Sequence, residues 1–214
     1  MATMNSYNPA DGQVVGEVGR TPLSEITRAV STARRAQAEW AAMGVHQRYQ
    51  RLAGAAQRIT DSADKVGQLL TREMGKPLRE AVGEVRSCGQ SLVAELDEML
   101  EAFSPEVVED AWTHSTMVYD ALGVCAVITP WNFPFSMPHW MILPALMAGN
   151  TVVFKPSEET PLVGQAYADL LGADLPQGVL TTIHGADAEG QALVASEVDL
   201  IAFTGSRGVG KMIL

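Results

Sequence analysis

Between Ala121 and Phe154 the chain runs for 34 residues without an Asp, Glu, Lys or Arg. A stretch this apolar has to leave water, and only a bilayer or a protein interior will take it. Pro130, Pro134, Pro138, Pro144 and Gly149 interrupt the run, so no piece of it offers the ~20 unbroken apolar residues of a membrane-spanning helix. The segment is therefore expected inside a folded domain. Composition points the same way: 47% of the residues are hydrophobic, 19% are charged and the mean hydropathy is +0.06, the profile of a globular protein rather than a disordered one. Acidic residues outnumber basic ones 25 to 15, and the excess is spread over both halves of the chain. Without a sheath of basic side chains for phosphate backbones, nucleic acid is excluded as a partner.

Cys88 and Cys125 are the only cysteines. They sit at no metal-ligand spacing and are too few to staple a chain of this length, so no metal is expected and a reducing, cytoplasmic compartment is. Met1 to Gly16 lacks the basic region and apolar run of a signal peptide. It reads as an extended or turn segment with breaks at Asn8-Pro9 and Asp11-Gly12. No membrane partner is expected.

Up to Phe103 the apolar positions keep a helical period. Thr21-Pro22 reads as an N-cap with proline in the first turn, followed by Ile26, Ala29, Val30, Ala33, Gln37 and Trp40. Tyr49, Leu52, Ala53, Ala56 and Ile59 repeat the period, and Val66, Leu69 and Leu70 carry it to a stop at Met74-Gly75. After Lys76-Pro77, positions from Leu78 to Met99 mark one long amphipathic helix. Beyond Ser104 the texture changes to short β-rich runs at Ser115–Tyr119, Val124–Thr129, Thr151–Phe154, Val179–Ile183 and Leu200–Thr204. Helical candidates His139–Ala148, Val163–Leu171 and Ala188–Ala195 lie between the last four. Strands apolar on both faces that alternate with helices predict an α/β fold, a doubly wound parallel sheet covered on both sides. Ser115–Tyr119 stands apart; Asp120 and Gly123 suit it to be one arm of a projecting hairpin.

Three clusters at predicted strand ends offer chemistry. The glycine-rich run Thr204 to Gly210 joins a strand to a helix, where free backbone N–H groups and the helix dipole favour an anion such as a pyrophosphate. Its glycines do not follow G-x-G-x-x-G, and an ordinary tight turn is the competing reading. Lys155-Pro156-Ser157-Glu158 follows a strand at the carboxyl end, where open α/β sheets bind ligands. A lysine and a carboxylate there suit ribose hydroxyls; a solvated loop with a helix cap before Pro161 is the alternative. Pro130-Trp131-Asn132-Phe133-Pro134 sets a polar Asn beside two aromatics in the charge-free stretch, where it needs a hydrogen-bond partner or serves as one for a ligand.

Taken together, PWNFP at Pro130–Pro134, PALMAGN at Pro144–Asn150, KPSEETP at Lys155–Pro161, LPQGV at Leu175–Val179 and FTGS at Phe203–Ser206 closely resemble the aldehyde dehydrogenase superfamily. The helical region with EMGKP at Glu73–Pro77 resembles that family's N-terminal portion, so the likeness covers nearly the whole chain. It implies NAD(P)-dependent oxidation of a small-molecule aldehyde to a carboxylic acid through a cysteine hemithioacetal, with hydride passing to nicotinamide. Asn132 would donate its side-chain amide to the substrate carbonyl oxygen in an oxyanion hole. Lys155 and Glu158 would hold the adenosine ribose, Gly205 and Ser206 would contact the pyrophosphate, and Thr129, Pro130 and Trp131, with Ser157 and Val209, would line the cofactor cleft. Phe133, Met137 and Trp140, spaced i, i+4, i+7, match positions of the substrate tunnel; read from spacing alone, the trio is equally a helix core.

The resemblance also divides the chain into a helical part of the cofactor domain (1–110), an oligomerisation hairpin arm (111–123) and a truncated Rossmann-like core (124–214), and it implies a dimer or tetramer. The family's nucleophilic cysteine and general-base glutamate lie after the FTGS turn, and Leu214 is eight residues past Ser206. Cys88 and Cys125 fall elsewhere and read as structural, so the 214 residues alone are expected to be inactive. The His184–Gly190 loop is one residue shorter than the family's usual version, which bears on adenine-side contacts. Glu158 beside the ribose favours NAD over NADP, and the aromatic and thioether groups of the tunnel trio favour apolar aldehydes over succinate semialdehyde. A second functional reading shares all these motifs: a catalytically inactive nucleotide-binding or assembly module derived from the same family.

Overall fold

The computed structural model describes residues 2–214. The chain opens with an antiparallel hairpin, β1 (Thr3–Tyr7) against β2 (Val14–Gly19). The Asn8-Pro9 and Asp11-Gly12 breaks form its turn: Asn8 Oδ1 accepts from the Ala10 N–H, and Gly12 takes a φ of 72°. Four helices follow: α1 (Leu23–Ala42), α2 (Val45–Ala53), α3 (Ala55–Met74) and α4 (Leu78–Ala102). Thr21 does not cap α1 as expected, because its hydroxyl accepts the backbone N–H of His184 at 2.9 Å and so ties the helix start to the sheet. Gly75, at φ 81°, closes α3 in the left-handed conformation. Helices α3 and α4 touch along their backbones: a Cβ on Gly67 would stand 2.5 Å from the Val82 side chain.

The projecting hairpin includes the expected strand near Ser115, but its partner strand and turn lie upstream of it. It pairs β3 (Glu106–Glu109) with β4 (His114–Met117), its turn held by Asp110 Oδ1, which accepts from the N–H groups of Trp112 and Thr113. The arm therefore runs from 106 to 117 rather than 111–123, and Asp120 and Gly123 lie outside it. Every residue of both strands is exposed, so no one-sided apolar pattern marked them in the sequence.

The remaining elements are β5 (Val124–Ile128), α5 (Ser136–Met147), β6 (Thr151–Lys155), α6 (Pro161–Gly172), β7 (Leu180–Thr182), α7 (Asp187–Val194), β8 (Leu200–Phe203) and α8 (Arg207–Ile213). Strands β5 to β8 form one parallel sheet in the order β7-β6-β5-β8. Alternation sends Val124, Ala126 and Val153 towards Ile26, Val30 and Ala33 of α1 and Leu193 of α7. Cys125, Val127, Val152 and Phe154 point the other way, into the core shared with α5, α6 and the α2–α4 layer. Coverage on both faces explains why the central strands β5 and β6 are so largely apolar; β7 and β8 at the sheet edges are only half-buried. Helix α5 is apolar nearly all round because it is packed between the sheet and α4; Trp140, more than half exposed, breaks that rule. Among the described residues no helix is long and apolar enough to cross a membrane.

Candidate active site

The sheet runs outward from β5 through β6 to β7, then returns to place β8 on the other side of β5. Where the strand order reverses, the loops leaving the carboxyl ends of two neighbouring strands part and open a crevice, the usual ligand site of an open α/β sheet. The three clusters singled out in the sequence leave the carboxyl ends of β5, β6 and β8.

At the end of β5, Thr129 is buried and its N–H reaches the Lys155 carbonyl at 3.3 Å, while Trp131 and Asn132 are exposed. The Thr204 N–H bonds the Ile128 carbonyl at 3.2 Å and holds the β8 exit beside the β5 exit. Only Gly205 of the glycine run lies in the turn. A side chain there would drive a Cβ to 2.5 Å from the Phe203 ring. Ser206 Oγ accepts the Val209 N–H at 3.2 Å and caps α8, so Gly208 and Gly210 are helical rather than a phosphate-gripping loop.

At the end of β6, Lys155 is buried up to its ammonium, which donates to the Pro156 carbonyl at 3.2 Å and stands 3.6 Å from the half-exposed carboxylate of Glu158. Burial pulls the Lys155 pKa down, and Glu158, Glu189 and Asp187 oppose that pull. Ser157 Oγ accepts the Glu159 N–H at 3.3 Å, which fixes the turn between Lys155 and Glu158. Helix α6 approaches this turn so closely that a Cβ on Gly164 would lie 2.4 Å from the Pro156 ring. In the first turn of α7, after β7, Glu189 accepts two bonds from Arg20, at 2.7 and 3.0 Å, and one from the Ala186 N–H.

A cavity of about 340 Å³ opens between α4 and the start of α5. Phe133 and Trp140 line it; Met137 lies outside its lining and is half-buried. The trio is thus neither one helical stripe nor a core: Phe133 precedes α5, and both aromatics that line the cavity are exposed. The opposite wall is polar. Lys76 before α4 and Glu80, Glu84, Ser87 and Ser91 along it face the aromatics, a wall that the apolar-tunnel expectation did not include. Both thiols are inert. Burial pushes Cys88 up to about 12 and Cys125 up to about 11, so neither is a thiolate near neutral pH.

Sequence reasoning passed over Lys76 and Glu84, whose side chains are almost fully buried and paired with each other. Glu84 Oε1 accepts the N–H groups of Phe135 and Ser136, and Lys76 Nζ donates to the Asn132 carbonyl at 3.0 Å. The available signal was EMGKP itself, whose lysine has no helical face to occupy.

Known proteins carry the same architecture. Residues 1–214 match the family model for the aldehyde dehydrogenase family. N-succinylglutamate 5-semialdehyde dehydrogenase of Sphingopyxis alaskensis is 38% identical over 208 residues, which are 96% of this chain and 43% of that protein. Betaine aldehyde dehydrogenase of Vibrio vulnificus is 33% identical over 214 residues, 98% of this chain and 44% of the relative. The crystal structure of NADP-dependent glyceraldehyde-3-phosphate dehydrogenase from Bacillus halodurans, complexed with NADP, superposes with a TM-score of 0.92 at 28% identity, covering 99% of this chain and 46% of the other. An NAD-dependent benzaldehyde dehydrogenase from Corynebacterium glutamicum gives 0.89 at 29% identity, with 99% and 47% covered. The chain spans less than half the length of these relatives.

Proposed function

The chain belongs to the aldehyde dehydrogenase family, and from that premise we propose that it is the cofactor-binding part of an NAD(P)-dependent enzyme that oxidises an aldehyde to a carboxylic acid. The observation that carries the reading is the convergence of the Asn132, Lys155–Glu158 and Gly205–Ser206 clusters on the carboxyl edge of the sheet, at the reversal between β5 and β8. The donor set suits a dinucleotide. Lys155 and Glu158 offer a donor and an acceptor to the cis-diol of a ribose, and the N-terminus of α8 at Ser206 would face a pyrophosphate. Thr129, Pro130 and Trp131 would line the cleft between these two sites, with Ser157 fixing the turn at one end and Val209 in the first turn of α8 at the other. Nicotinamide bound in the cleft supplies the hydride acceptor.

Asn132 takes the central chemical role. Its side-chain amide is exposed and makes no hydrogen bond among the described residues, so it is free to donate to a carbonyl oxygen that gains negative charge when a nucleophile adds to the carbonyl carbon. That nucleophile is not Cys88 or Cys125, which are buried and protonated. A thiolate from outside these 214 residues completes the site, in keeping with the length of the relatives. The aldehyde would lie along Phe133 and Trp140. NAD is the preferred cofactor, because Glu158 would repel a 2′-phosphate. The exposed β3–β4 arm, with Val107, Val108 and Met117 in solvent, supports assembly into a dimer or tetramer.

The test uses the complete polypeptide carrying this chain, an aldehyde deuterated at C1, and each cofactor in turn. The reading requires one carboxylic acid per reduced cofactor, with the deuterium on the nicotinamide. Acid formed without cofactor reduction would replace it with a hydrolytic or oxygen-dependent chemistry.

A further inference from the structure

We infer that Lys76 and Glu84 are a positioning pair that holds Asn132 and Phe133 at the reacting carbonyl, an inference that rests on Asn132 acting as proposed above. The two side chains are only 10% and 4% exposed and are ion-paired to each other. Glu84 Oε1 accepts the N–H of Phe135 at 3.2 Å and of Ser136 at 3.0 Å, two donors at the start of α5 that have no partner within the helix. Its Oε2 accepts from Lys76. The Lys76 ammonium also donates to the Asn132 carbonyl and lies 3.9 Å from the centre of the Phe133 ring.

Backbone at 132, ring at 133 and N–H groups at 135 and 136 are thereby all tied, through two side chains, to α4 and the turn that precedes it. The arrangement is specific to the loop. A buried ion pair contributes little net stability compared with apolar packing of the same volume, and a helix start can be capped by a single Ser or Asp. What the pair adds is a fixed direction for the residue whose amide has to meet an oxyanion. A displacement of about 1 Å at such a group costs on the order of 100-fold in rate.

The experiment compares Lys76→Met and Lys76→Arg in the complete polypeptide, each in the wild-type and the Asn132→Ala background. Lys76→Met is expected to lower kcat by about 10- to 100-fold with NAD⁺ affinity unchanged, and Lys76→Arg, which keeps a cation and donors, to recover most of the loss. In the Asn132→Ala background Lys76→Met should cost less than about twofold more, since the residue it serves is gone. An equal loss in both backgrounds, or none in the wild type, overturns the proposal. A second readout does not depend on activity. In Glu84→Ala the amide hydrogens of Phe135 and Ser136 should exchange at least about tenfold faster while those of β5 and β6 keep their protection. Unchanged exchange at 135 and 136 overturns the pair's role. If the unsubstituted enzyme reduces neither cofactor with any aldehyde, the functional reading fails and the exchange result alone decides whether the pair anchors this loop.

Discussion

His184 should make this protein lose stability in mild acid, by an amount that its surroundings set. The ring is almost fully buried, with Nε2 at 2.7 Å from Gln165 Oε1, so the neutral ring donates from Nε2. Protonation would add a hydrogen at Nδ1, which is buried with no partner among the described residues. Burial, and then the nearby Lys155 charge, lower the pKa from 6.5 to about 4, with Asp169 opposing. As pH falls, the unfolded chain takes up this proton near 6.5 while the folded ring stays neutral until about 4. The stabilisation is therefore complete above 6.5 and is lost progressively down to about 4. At 1.36 kcal/mol per pH unit the full loss is at most about 3.4 kcal/mol, of which about 2 kcal/mol falls between pH 7 and pH 5. Urea unfolding of the wild type and of His184→Gln at those two pH values isolates this group from the carboxylates that titrate nearby. The wild type should lose about 2 kcal/mol more than the variant. Equal losses, or an NMR titration placing His184 above pH 6, would refute the reasoning.

Three further outcomes are expected. Glu158→Ala should narrow the preference for NAD⁺ over NADP⁺ by about tenfold, read by titration calorimetry with each cofactor, because it removes the negative charge beside the ribose; tighter NADP⁺ binding by the wild type would contradict it. Benzaldehyde or a medium-chain aldehyde should show a higher kcat/KM than succinate semialdehyde, since Phe133 and Trp140 favour apolar contact, the Lys76 charge on the facing wall is already paired with Glu84, and Glu80 repels a carboxylate; the reverse order in the complete enzyme would remove the argument. Residues 1–214 expressed alone should produce no NADH with any aldehyde and should self-associate in light scattering, because both thiols are buried and Trp112, Trp131 and Trp140 stand in solvent. A monodisperse monomer whose turnover is abolished by Cys88→Ser or Cys125→Ser would show that the nucleophile had been misplaced.

What the sequence made legible was whatever a local pattern or a strand end could encode. Strands β5 and β6 announced themselves because burial on both faces leaves almost no room for charge, as at Val124–Val127 and Val152–Phe154, while the half-buried β7 and β8 showed as short apolar or β-branched runs. Helices α3 and α4 were plain because each turns one apolar stripe inward. The β1–β2 pairing was not, since only Ser6 of its eleven strand residues is buried and no alternation betrays a partner. Of the β3–β4 arm only the second strand was legible, at Ser115–Tyr119; the fully exposed first strand escaped, and the turn was sought at Asp120 when Asp110 makes it. The Lys76–Glu84 pair depends on α4 passing beside the loop before α5, a contact between segments about fifty residues apart that no spacing rule contains. The role of Ser206 as the cap of α8 was likewise hidden, because glycines at 208 and 210 look like loop residues until the helix is seen to run through them.

The central claim, that the Asn132 amide meets the oxygen of an aldehyde undergoing oxidation in this cleft, is tested most directly by Asn132→Ala in the complete enzyme. The account predicts a fall in kcat on the order of 100- to 1,000-fold, the loss typical of an oxyanion-hole donor, with the dissociation constant of NAD⁺ unchanged. A variant that oxidises aldehydes at the wild-type rate, or one that loses cofactor binding in step with turnover, would contradict it.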